Sequence, residues 1–153
     1  LKSSSPRDVT KLTEKFKKND VLKSIVFENT KNNIKDHLNL YQKIDIALDT
    51  FPYNGVTTSF EAIWMGVPVL TMRGYNFHSR CGESINKNIN LDYLIAKNED
   101  DYFIKAKELS ENTEMLLNIR KIIFRDALTS PLFDVKRFSN EFFNSLEKIY
   151  YNL

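Results

Sequence analysis

All four glycines of the 153-residue sequence, Gly55, Gly66, Gly74 and Gly82, fall in one central stretch together with Pro52 and Pro68, while both flanks are almost free of helix breakers. Glycine marks places where the backbone must turn sharply or approach something closely. A site built from backbone is therefore expected in the centre, with helices in the flanks. The length suits one domain and is too short for a two-lobed enzyme with a cleft between its lobes. An apolar share of 42%, with 12% aromatic, is enough for a folded interior.

Charge excludes more than it assigns. With 22 basic and 20 acidic residues the net charge is +2, and the lysines are scattered among acids, so no footprint for nucleic acid appears. The longest largely apolar run, residues 62–70, is interrupted by Gly66 and Pro68 and falls short of the roughly 20 residues that span a bilayer. The lone Cys81 cannot form an internal disulfide, which fits a reducing compartment, and a cytoplasmic location is expected. The opening Leu1-Lys2-Ser3-Ser4-Ser5-Pro6 lacks an initiator methionine and reads like a cut inside a longer protein, so a truncated lobe is expected.

Periodicity orders the elements. Val9, Leu12 and Phe16 recur at helical spacing up to Asn19-Asp20; Ser24-Ile25-Val26-Phe27 has the look of a buried strand; Ile34, His37, Leu38 and Tyr41 mark a helix over 34–43. Ile44-Asp45-Ile46-Ala47-Leu48 is near-continuously apolar, as expected of a central parallel strand. A loop over 49–56, a helix over 57–65 ended by Gly66, a strand over 67–71, a second loop, a helix from about Ser79 and a short strand Leu94-Ile95-Ala96 follow. The tail, 99–153, is helical, with stripes at Tyr102, Ala106 and Leu109, then at Met115, Leu116, Ile119, Ile122 and Ile123, then at Val135, Phe138, Phe142, Leu146 and Ile149. Its aromatic residues Phe138, Phe142, Phe143, Tyr150 and Tyr151 are expected in the core. The alternation predicts an α/β fold, a Rossmann-like parallel sheet with helices on both faces and a helical C-terminal tail.

In such sheets ligands bind outside the carboxyl ends of the strands. Asn54-Gly55 followed by Thr57-Thr58 at the mouth of a helix offers free N–H groups, a partial positive charge and hydroxyl donors, which suit a phosphate. The competing local reading is a capping box, with Thr58 as cap and Glu61 reaching back, and spacing alone favours it. Glu61 is also placed to accept from ribose hydroxyls. His37 on its short helix, and His78 in the second loop beside Arg80, read by default as structural and solvated histidines. A zinc site is not expected from two distant histidines and one cysteine; no glycine-rich or Walker phosphate loop and no Asp-x-Asp pair is present.

The run from Asp45-Ile46-Ala47-Leu48-Asp49-Thr50-Phe51-Pro52-Tyr53-Asn54-Gly55-Val56-Thr57-Thr58 through Glu61-Ala62-Ile63-Trp64-Met65-Gly66-Val67-Pro68-Val69-Leu70-Thr71 closely resembles the nucleotide-binding lobe of O-linked N-acetylglucosamine transferases and their SPINDLY-like relatives. Ser79-Arg80, Leu94-Ile95-Ala96 and Ser130-Pro131-Leu132-Phe133 extend the likeness, which runs from about Ile25 to the end. The resemblance implies the C-terminal lobe of a GT-B glycosyltransferase, one nucleotide-sugar-binding lobe over 1–153 that is inactive alone. It implies a metal-independent, inverting transfer of a sugar, N-acetylglucosamine from UDP-GlcNAc in the first instance, to Ser or Thr of proteins. Implied partners are the nucleotide-sugar donor, the parent's N-terminal catalytic lobe and a protein acceptor reached through upstream regions, with tetratricopeptide repeats among them. Position by position it implies that Thr57 and Thr58 donate to the diphosphate, that Glu61 holds the ribose, and that His37 lies beside the nucleotide. Asn54 and Gly55 join them in the donor site and Arg80 follows in a second tier; no catalytic residue, cofactor or metal ligand is assigned. Val56 and Leu40 depart from animal members, which carry a histidine and an arginine there. Two alternatives stay open: a catalytically inactive binding or scaffold module, and a fucosyltransferase using GDP-fucose.

Overall fold

A computed structural model of the protein describes residues 6–29 and 31–152. It divides into two compact units, Leu1–Leu40 and Tyr41–Leu153. In the first unit helix α1 (Pro6–Lys18) carries Val9, Leu12 and Phe16 as a half-buried stripe, as expected from their spacing. The N–H of Val21 returns to the carbonyl of Phe16 at 3.1 Å and closes the helix end. The strand expected over Ser24-Ile25-Val26-Phe27 does not form. A 3-10 turn, Leu22–Ser24, takes its start, Val26 is 69% exposed, and a single bridge residue, Glu28, follows. A four-residue β-branched run becomes a strand only where a sheet edge receives it, and its periodicity cannot supply that edge. Helix α2 (Ile34–Asn39) is capped by Asn33, whose Oδ1 accepts from the N–H of Asp36 at 2.8 Å; a 3-10 turn, Leu40–Lys43, comes next in the chain.

The second unit is built on three parallel strands in the order β1 (Ala47–Leu48), β2 (Val69–Met72), β3 (Ile95–Ala96). Ala47 pairs with Val69, Leu48 with Leu70, Thr71 with Ile95 and Met72 with Ala96. All four residues of β2 are buried, so this strand has cover on both faces. The run 44–48, expected at the centre, supplies instead a short outer strand of this sheet, and Leu48 is 59% exposed. Helix α3 (Thr57–Trp64) connects β1 to β2 and ends at Gly66, whose φ of 74° stops it. Helix α4 (Cys81–Asn88) connects β2 to β3 and packs on both. Asn86, fully buried on α4, donates through Nδ2 to the carbonyl of Val69 at 2.8 Å and ties that helix to the strand.

Helices α5 (Glu99–Glu111) and α6 (Thr113–Leu128) complete the core: α5 packs on β2 and α6 on α3, and Leu109, Ile119 and Ile123 are buried, as are Ile63, Leu70 and Leu94. An aromatic cluster fixes the outer side of α3: Trp64 lies 5.0 Å from Phe124 edge-on, and Phe133 sits 5.9 Å from Phe60. The last helix, α7 (Val135–Tyr151), departs from expectation. Val135, Phe138, Phe142, Phe143, Leu146, Ile149, Tyr150 and Tyr151 are all exposed, from 46% to 80%. Helical spacing identifies an amphipathic face but not what covers it, and nothing among the described residues buries this one.

Candidate donor site at the start of α3

The loop over 49–56 leaves the carboxyl end of β1 and delivers the chain to α3, and its shape is set from inside. Asp49 Oδ1 accepts the N–H of Gly55 at 2.7 Å, and its Oδ2 accepts the hydroxyl of Thr71 at 2.7 Å. Burial raises the Asp49 carboxyl above the usual carboxylate range, against the opposing pull of the Gly55, Thr71 and Thr50 hydrogen bonds. Tyr102 of α5 donates to the carbonyl of Asp49 at 2.9 Å; burial, with Asp49 nearby, pushes its phenol up to about 12. A side chain at Gly82 would collide with Thr71 and Asp49, so the α4 backbone must lie directly against this pair.

Asn54 is only 1% exposed, and both ends of its amide are engaged inside the protein. Nδ2 donates to the carbonyl of Thr50 at 3.0 Å, and Oδ1 accepts the N–H of Gly82 at 3.3 Å. Its backbone N–H reaches the carbonyl of His78 at 2.9 Å, and the Tyr53 ring stacks on His78 at 5.5 Å. Asn54 therefore joins the loop after β1 to the loop after β2. Of the residues expected to touch a ligand, Asn54 and the N–H of Gly55 are thus committed to holding the loop. His78, expected as a solvated loop residue, is a second anchor of the same joint.

The helix begins two residues earlier than a capping box on Thr58 requires. Val56 is the N-cap, with no side-chain cap bond, and the first intrahelical bond runs from the N–H of Phe60 to the carbonyl of Val56 at 3.0 Å. Thr57 and Thr58 are the first two helical residues, both exposed, and neither hydroxyl caps the helix. The N–H groups of 57–59 have no acceptor within the helix by its geometry. Glu61 Oε2 accepts the hydroxyl of Tyr41 at 2.9 Å. The local reading that spacing favoured is thus overturned, and the cause is the position of Val56. A side chain at Gly55 would overlap Thr58 Oγ1, so the glycine is what lets Thr58 stand where it does.

Arg80 heads α4, with its Nε donating to Glu83 at 3.1 Å, and Lys87 approaches the same carboxylate at 2.8 Å. Lys87 first, then Arg80, hold the buried Glu83 below its ordinary range against the cost of burial. An open cavity of about 580 Å³ lies between α3 and α4, lined by Val56, Phe60, Arg80, Glu83, Lys87 and Leu132 among others. His37 lies half-buried on α2, in the first unit, whereas Asn54, Gly55, Thr57, Thr58, Glu61 and Arg80 all belong to the second. Among the described residues no group of three or more His, Cys, Asp and Glu is placed to hold a metal ion. Nor is any described helix long and apolar enough to cross a membrane. Residues the sequence did not single out complete the site: Asp49, Thr71 and Tyr41. A carboxylate at the end of a strand, just before a glycine loop, was the available signal for the first.

The parallel sheet, with helices linking its strands and the loop over 49–56 at its carboxyl edge, defines a Rossmann-like α/β unit. The chain belongs to glycosyl transferase family 41, whose family model matches residues 7–142. It is 43% identical over 103 residues to a protein of Eustoma exaltatum subsp. russellianum, covering 67% of this chain and 11% of that protein. It is 39% identical over 115 residues to one of Solanum lycopersicum, covering 75% and 12%. Both carry the name probable UDP-N-acetylglucosamine-peptide N-acetylglucosaminyltransferase SPINDLY. A solved structure, a lysine-to-methionine mutant of the O-GlcNAc transferase of Thermobaculum terrenum, superposes with a TM-score of 0.87 at 28% identity, over 95% of this chain and 28% of that one. The α/β architecture is thus that of a bacterial O-GlcNAc transferase of GT-B type. The chain spans about a tenth of the length of these curated relatives.

Proposed function

We propose that residues 1–153 form the nucleotide-sugar-binding lobe, with 99–153 as its helical tail, of a glycosyltransferase that moves a sugar onto Ser or Thr hydroxyls of proteins. The relatives' names favour UDP-GlcNAc as donor. One observation supports the donor site above the others: α3 opens at the carboxyl end of β1 with an uncapped first turn and two exposed threonines. In an inverting transfer the acceptor oxygen forms its bond to the anomeric carbon as the bond to the departing diphosphate breaks, and negative charge gathers on that diphosphate. The first-turn N–H groups, the helix dipole and the hydroxyls of Thr57 and Thr58 stabilise that charge without a metal. Glu61 accepts from the ribose hydroxyls, His37 lies beside the nucleotide, and Arg80, already paired with Glu83, is a second-tier contact. Asn54 and Gly55 serve by holding the loop. The acceptor and the N-terminal catalytic lobe belong to the rest of a cytoplasmic parent protein, and this chain alone is inactive.

Val56, 46% exposed and without a hydrogen-bonding side chain, favours a second reading, a scaffold module without turnover. Titration of the full-length protein with UDP and GDP, followed by saturation-transfer NMR, tests the donor site. A preference for a nucleoside diphosphate over sulfate, weakened about tenfold by Thr58→Val or Glu61→Ala, is expected; equal response to unrelated anions overturns it. Sugar transfer by the same protein eliminates the scaffold.

A further inference from the structure

We propose that Tyr41 is a positioning residue for the donor ribose, acting through Glu61. The inference rests on the reading of Glu61 as the ribose-holding group. Tyr41 is 9% exposed, and its hydroxyl lies 2.9 Å from Glu61 Oε2 and 3.2 Å from the carbonyl of Thr58. A phenol has one proton to give, and the nearer acceptor is also the charged one, so the bond to Glu61 takes it. Burial first, then Glu61, raise the phenol well above its ordinary value, so it remains a donor throughout the working pH range.

The position of the hydroxyl matters as much as its proton. Thr58 belongs to the first turn of α3 and Glu61 to the next, so the phenol oxygen lies beside the backbone carbonyl of the turn assigned to the diphosphate while its proton goes to the carboxylate assigned to the ribose. A glutamate on a helix otherwise samples several rotamers, and ordering it on ligand binding costs conformational entropy. The bond from Tyr41 restricts that freedom beforehand and favours one orientation of the carboxylate. Deleting its hydroxyl leaves the charge of Glu61 in place and removes that restriction.

Tyr41→Phe deletes one oxygen and keeps the ring in its place. The test measures affinities of the full-length protein for UDP and GDP, each beside its 2′-deoxy counterpart. For wild type the ribose form of the accepted nucleotide is expected to bind about tenfold tighter than the deoxy form. Tyr41→Phe is expected to bring that ratio below about threefold, chiefly by weakening the ribose form, and Tyr41→Phe/Glu61→Gln to bind no worse than Glu61→Gln alone. A wild-type ratio in Tyr41→Phe, with the ratio lost in Glu61→Gln, overturns the role of Tyr41 and leaves the ribose reading intact. A ratio unchanged in Glu61→Gln overturns the ribose reading and this inference with it. Equal weakening of both forms by Tyr41→Phe marks a structural role and also overturns the inference.

Discussion

Among the described residues, Asp49 and Glu83 are acidic side chains whose surroundings move their protonation, and they move it in opposite directions. Asp49 has a raised value, so the folded state binds its proton more readily than the unfolded chain, and its contribution to stability falls as pH rises through the acid range. Glu83 has a lowered value; its stabilisation is full above the ordinary glutamate range and is lost as pH falls through the lowered one. Arg80 and Lys87 are more than half exposed, so this pairing contributes only about 1 kcal/mol. Glu83→Gln is therefore expected to flatten the fall in melting temperature between about pH 6 and pH 3, measured by thermal unfolding across that window. An unchanged slope would contradict the assignment. Thr71→Val removes the hydroxyl that Asp49 accepts and leaves its size unchanged. A cost of about 1–2 kcal/mol is expected in denaturant unfolding, together with weaker UDP binding, since Asp49 also holds Gly55.

At the scale of elements, helices were legible where their own residues decide them. The first helix, α3, α4 and the tail follow apolar spacing and breakers, and Gly66 stops α3 where expected. Strands were less legible, because a strand is defined by its neighbour. The run 44–48 has the composition of a central strand yet lies outside β2, and Ser24-Ile25-Val26-Phe27 forms no regular strand. The site divides along the same line. Thr57, Thr58 and Glu61 were visible as residue types at a helix start, but the choice between cap and open turn depended on Val56 and Tyr41, which pattern alone does not rank. The aromatic stripe of α7 shows the limit most plainly: its spacing is that of a core helix and its residues are exposed. Phe142→Ser is accordingly expected to cost less than about 1 kcal/mol in denaturant unfolding of the isolated chain, whereas Leu109→Ala, at a 2% exposed position, costs about 2–5 kcal/mol.

For the whole molecule, the chain belongs to glycosyl transferase family 41 and covers 11% of the length of a SPINDLY-named relative. The second unit alone holds the loop of Asp49, the open turn of α3 and the Tyr41–Glu61 pair, so it contains the main groups assigned to the donor. His37, in the first unit, is the exception. The proposed donor site stands on the open start of α3 holding a nucleoside diphosphate. Isothermal titration of the full-length protein with UDP and GDP, in wild type, Thr58→Val and Gly55→Ala, tests this directly. A side chain at Gly55 would overlap Thr58 Oγ1, so both variants disturb the same hydroxyl by independent routes. Saturable binding of one nucleotide, weakened about tenfold or more in each variant while melting temperatures stay close to wild type, is the predicted result. Binding that is unaffected by both variants would contradict a diphosphate site at the start of α3.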